Sequence, residues 1–117
     1  MKEFPEFMKN PDNRVATLSQ WTRGIEGYVY DGADGSQMAN WTCPENEQSD
    51  VHTHDYDEYM LVVQGRYTLI IEGKRISLRA GDEYLIKKGT THGGEAVAGT
   101  RVIEAYGGKR AKRVGEA

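Results

Sequence analysis

The chain predicts a single all-β domain, a sandwich or barrel, and three observations support that prediction. Short apolar runs recur at close spacing between Ile25 and Tyr106, each bounded by turn residues. After position 13, no stretch long enough for a helix has helical periodicity. A length of 117 residues suits one hydrophobic core and not two.

Residues 1–23 read as an N-terminal arm with an edge strand, 24–106 as the barrel, and 107–117 as a basic tail. In the arm, Phe4, Phe7 and Met8 fall at helical spacing with Pro5 at a possible first turn, which suits a short helix or an arm laid on a neighbour. Val15, Thr17 and Leu18 suggest the edge strand. Ile25, Tyr28, Val29 and Tyr30 form the next strand, and residues 31–35 (Asp-Gly-Ala-Asp-Gly) a turn. Residues 37–43 form another, with Trp41 as a packing residue, and 44–49 read as a polar loop. Residues 59–63 (Tyr-Met-Leu-Val-Val) have a buried-strand composition. Beyond Gly65, strands at 67–71, 75–78, 84–86 and 101–106 are separated by turns at Glu72-Gly73, at 80–82 and at Lys88-Gly89. The tail, with Lys109, Arg110, Lys112 and Arg113, reads as loose and solvated.

The net charge of −3 argues against nucleic acid as the main partner. The N-terminus lacks an apolar signal-like stretch, and no run approaches membrane-spanning length. The lone Cys43 excludes an internal disulfide and suits a reducing compartment. These features predict a cytoplasmic protein without a membrane partner. Cys43 reads as a small buried residue, since no histidine outside the set described next could activate it.

The chemistry concentrates between Asp50 and Gly65. His52 and His54 are two apart and Glu58 lies four further on, so an uninterrupted strand would present all three on one face. The chain holds one further histidine, His92, behind a glycine turn. Three imidazoles and one carboxylate are a mixed N/O donor set suited to one divalent transition metal: Mn, Fe, Co, Ni or Zn. The absence of thiolate donors argues against a closed structural zinc site. Such a set leaves a divalent ion net positive, with positions open to water or a bidentate anion. Met60 and Val62 share the parity of Glu58, and Gly94 that of His92, while Tyr67, Leu69, Tyr84 and Ile86 are candidate walls. That pocket would take a small-molecule ligand with a carboxylate, enolate or hydroxy-ketone head. No catalytic side chain is assigned; Tyr84 is a candidate acid or base.

The spacings His52-x-His54-x3-Glu58-x6-Gly65 and Gly81-x5-Lys87-x-Gly89-x2-His92 resemble the two sequence motifs of the cupin superfamily, and the short segment between them resembles that of small single-domain bacterial cupins of the conserved-barrel (cupin 2) type. The resemblance implies a jelly-roll β-barrel (a double-stranded β-helix) holding one divalent metal through His52, His54, Glu58 and His92. Asn46, Lys87 and Ala96 stand where the family pattern usually has Gly, Pro and Asn; none of the three is a metal-ligand position. Asn46 is expected to preserve a left-handed turn. The resemblance further implies a homodimer formed through an edge strand, with Phe4, Phe7 and Met8 adding apolar contact. For function it implies a metal-dependent dioxygenase, isomerase or lyase, or alternatively a non-catalytic binding or sensor domain.

Overall fold

The computed structural model describes residues 2–16 and 24–116. Among the described residues nine strands follow in order: β1 Glu26–Asp31, β2 Gln37–Thr42, β3 Glu47–His52, β4 Glu58–Gln64, β5 Arg66–Ile71, β6 Lys74–Arg79, β7 Glu83–Ile86, β8 His92–Ala96 and β9 Arg101–Tyr106. They form two antiparallel sheets, a five-stranded β1-β2-β9-β4-β7 and a four-stranded β3-β8-β5-β6, the arrangement of a jelly-roll barrel. The arm carries two 3₁₀ turns, Glu6–Met8 and Pro11–Asn13. Thr17 and Leu18 of the expected edge strand lie outside the described residues; Val15 makes an isolated bridge to Arg113.

Parity sets the core. Along β4, Glu58, Met60 and Val62 are buried while Tyr59, Leu61 and Val63 are less so. Met60, Val62, Leu69, Leu78, Ile86 and Val102 form one cluster between the sheets. Val29, Ala39, Trp41, Cys43, Tyr106 and neighbours form the other, nearer the His-rich end. Each fully buried aliphatic side chain contributes about 1.5–3 kcal/mol of transfer free energy. The turn between β5 and β6 is the two-residue type the twist of a hairpin favours: Glu72 and Gly73 both have positive φ, at 50° and 79°.

Three expectations change. Residues 47–49 were expected to end a polar loop, but form the first half of β3, because pairing with β8 satisfies backbone groups whatever the side chains are. Asn46 is not left-handed; its Oδ1 instead accepts from the Ala98 N–H at 2.8 Å, tying the β8–β9 turn in place. The basic C-terminal stretch is not loose. Arg110 and Ala111 are buried, at 8% and 1% exposure. Gln37 Oε1 accepts from both of their N–H groups, at 2.7 and 3.0 Å, and Gln37 Nε2 donates to the Ala111 carbonyl. Arg113 donates to the Val29 carbonyl and pairs with Asp31 at 3.0 Å. The Arg113 charge meets acceptors on β1 and the backbone of residues 110–111 meets the Gln37 side chain on β2, so the segment packs against that sheet.

Candidate metal centre

Two sheets build the site. His52 ends β3 and stands opposite His92, which begins β8, as register partners in the four-stranded sheet. Glu58 begins β4 in the other sheet, opposite Tyr106 and Ile86. His54 lies in the connection between β3 and β4. The even spacing from His52 to Glu58 therefore does not act along one strand; the chain crosses from sheet to sheet and brings the three together from opposite walls. One donor atom from each of His52, His54, Glu58 and His92 lies within 4.8 Å of all the others. Glu58 Oε1 stands 3.1 Å from His54 Nε2 and 3.7 Å from His92 Nε2.

The outer nitrogens of the rings are engaged. His52 Nδ1 lies 2.6 Å from the Asp50 carbonyl and His92 Nδ1 2.9 Å from the Thr90 carbonyl. A carbonyl only accepts, so both Nδ1 atoms carry the proton and both Nε2 lone pairs stay available. His54 Nδ1 is 3.0 Å from the Tyr56 hydroxyl, and the Tyr56 ring stacks on His54 at 4.8 Å between centroids. Rings oriented this way by neighbouring groups are the arrangement that metal-binding imidazoles require.

Electrostatics fit the same arrangement. Burial pulls His52 down to about 4, so it is neutral across the physiological range. Burial also works against charge on His92, but the Glu58 carboxylate and the Thr90 carbonyl outweigh it and hold that ring above its ordinary value. Glu58 hydrogen-bonds the side chain of Glu104, a second carboxyl on β9. Burial and the Glu58 charge push Glu104 well up. For Glu58, burial acts upward but is overcome by the hydrogen bond from Glu104 and the nearness of the His54 and His92 rings, leaving it well below the carboxylate range. The proton of the pair sits on Glu104, and the ionised oxygen faces the imidazoles.

The cavity at this centre is lined by His52, Glu58 and His92 together with Ser49, Tyr67, Glu104, Tyr106 and Arg110. Its volume, about 20 Å³, holds roughly one water-sized body. Met60 and Val62 lie beneath it in the core, and Gly94 faces inward: a Cβ there would stand 2.0 Å from the Tyr67 hydroxyl. Tyr84 is not part of this lining. It pairs with Met60 and packs partly buried on the Met60–Leu78 cluster, a level below Glu58. Sequence reasoning passed over Glu104, Tyr106 and Arg110. A charged residue at the inward parity of β9, between Val102 and Tyr106, was the available signal for Glu104; Arg110 had none, because its position depends on the fold of the C-terminal segment.

Two measurements test this geometry. In metal-free protein the His52 imidazole NMR signal is expected to titrate near pH 4. A group depressed from 6.5 to about 4 contributes stability above pH 6.5 that is lost as pH falls toward 4, so the His52 share of stability should decline through that window. Gly108 lies against the Tyr56 ring, where a Cβ would sit 2.6 Å from a ring carbon. Gly108→Ala should shift Tyr56, loosen His54 and weaken metal binding by roughly tenfold, the lower range for loss of a supporting group. Unchanged metal affinity would show that Tyr56 does not orient the ring.

A buried His/Glu cluster inside a two-sheet antiparallel barrel defines a small-barrel protein whose site could hold a metal ion. The chain belongs to the cupins: the model of the cupin domain family (Cupin_2) matches residues 39–106. Among solved structures it is similar to KdgF from Halomonas sp., at 23% identity over 75% of this chain and 83% of that one, with a TM-score of 0.68. It is also similar to the polyketide cyclase RemF from Streptomyces resistomycificus, at 17% identity over 97% and 85%, with a TM-score of 0.71. An oxalate oxidase matches at 19% identity over 76% and 53%, with a TM-score of 0.61. At these identities the likeness speaks for the fold. No match was found among curated proteins. No helix among the described residues is long and apolar enough to cross a membrane.

Proposed function

We propose that His52, His54, Glu58 and His92 hold one divalent transition metal, and that the protein binds or acts on a small anionic or hydroxy-carbonyl metabolite there. The observation that carries this reading is the convergence of four donor atoms within 4.8 Å, three of them on rings whose outer nitrogens are already engaged. Such a set suits Mn, Fe, Co, Ni or Zn. A bound ion would supply Lewis acidity toward the ligand's oxygens. The chain's own part is to keep His52 neutral by burial, hold a proton on Glu104 beside the ionised Glu58, and exclude bulk water with Tyr67 and Tyr106. Dioxygenase, isomerase and lyase chemistry are all compatible with these parts, and the neighbours include a cyclase and an oxalate oxidase. The second reading is a non-catalytic small-molecule binding or sensor domain. Metal analysis of protein purified without chelator, followed by oxygen uptake and product formation over catechols, keto acids and uronates, tests the proposal. About one equivalent of metal with turnover is the expected result; ligand-induced thermal shifts without turnover give the binding domain, and absence of metal refutes both.

A further inference from the structure

The C-terminal segment brings a permanent cation to the cavity. Arg110 lines it beside His52, Glu58, His92 and Glu104, and its guanidinium lies 5.8 Å from the centre of the Trp41 ring. The segment's course is fixed through the backbone, since Gln37 Oε1 holds the N–H groups of Arg110 and Ala111 together. Gly108 packs on Tyr56, which in turn stacks on His54. A residue on the segment is thus positioned against the site from two directions.

We infer that Arg110 is the anion-recognition residue of this site and that the ligand is a small 2-oxo or 2-hydroxy carboxylate. The inference rests on the metal-centre reading and narrows its ligand. A guanidinium is charged at every working pH, and its planar fork matches a carboxylate. With a divalent ion present, the ion and Arg110 outweigh Glu58 whether Glu104 is neutral or ionised, so the loaded cavity stays net positive and selects an anion. Glu58 and Glu104 face the same cavity, and the ligand carboxylate shares the guanidinium's field with them. Four protein donors leave about two positions on an ion that prefers about six, which a carboxylate oxygen and an adjacent hydroxyl or carbonyl oxygen fill together. The volume of about 20 Å³ holds roughly one water-sized body, so a carboxylate of lactate size enters only if the side chains lining the cavity rearrange around it.

The test uses cobalt-loaded full-length protein titrated with lactate and pyruvate, with neutral lactamide as control, read by the visible cobalt spectrum and by calorimetry. The wild type is expected to bind lactate or pyruvate and to bind lactamide far more weakly. Arg110→Gln should keep one cobalt per chain while weakening carboxylate binding by roughly ten- to a hundredfold, the loss of a charged hydrogen-bonding partner. Arg110→Lys should recover part of it. If Arg110→Gln does not fold, Arg110→Lys carries the test, with a several-fold loss expected and wild-type affinity overturning the proposal. No carboxylate binding by cobalt-loaded wild type, or equal affinity in Arg110→Gln, overturns this inference and leaves the metal centre standing. A wild type that takes up no cobalt overturns the metal centre and this inference with it.

Discussion

A His52→Ala/His92→Ala variant is expected to lose bound metal altogether, with content falling from about one equivalent per chain to the background. His52 and His92 are register partners on β3 and β8, so the double change removes the whole contribution of the four-stranded sheet. What remains, His54 and Glu58, are 3.1 Å apart and approach from one side only. Loss of a merely supporting group costs about 10–100-fold in affinity, and removal of two donors should exceed that by orders of magnitude. Thermal stability supplies a second readout. Metal at about 1,000 times its dissociation constant would stabilise the wild type by about 4 kcal/mol, and the variant should show no such rise. Elemental analysis and melting with and without added metal decide the matter, and metal content unchanged in the variant would remove these two residues from the donor set.

Leu69→Ala is expected to be the most damaging change away from the site, at about 2–5 kcal/mol. Leu69 is fully buried in the cluster of Met60, Val62, Leu78, Ile86 and Val102. Its β8 partner is Gly94, which has no side chain to move into the vacated space, and its other partner, Ile76, is fixed by the β5–β6 ladder. The hole therefore persists rather than collapsing, which places the cost toward the upper part of that range. A fall in melting temperature of roughly 10–20 °C would follow for a domain of this size. Urea denaturation checks the value, and a loss below about 1 kcal/mol would mean that the two sheets close over the gap. Because Leu69 does not line the metal cavity, metal stoichiometry should survive the change.

Local pattern and tertiary context account for different parts of this protein. Alternation along 59–63, the turn residues at Glu72-Gly73 and the short apolar runs after Gly65 were enough for β4, β5, β6, β7 and β9, because those signals reflect burial on one face and backbone geometry at a turn. The first half of β3 and the Gly-rich β8 were hidden: neither has a run of apolar residues, and their pairing with each other makes the extended form favourable. The candidate donor residues were legible by spacing and scarcity, whereas the reason they meet was not. His52 and Glu58 belong to opposite sheets, and a crossing of the chain unites them rather than the parity of one strand.

By itself, then, the sequence determined an all-β barrel, the residues His52, His54, Glu58 and His92 as a chemical group, and the burial of the β4 side chains, since each follows from residue type and local period. Only the tertiary structure decided that Glu104, Tyr106 and Arg110 join that group and that Tyr84 does not. The physical reason is that a jelly roll builds its pocket from strands and segments distant in the chain. Arg110 reaches the cavity through hydrogen bonds to Gln37, a residue 73 positions away.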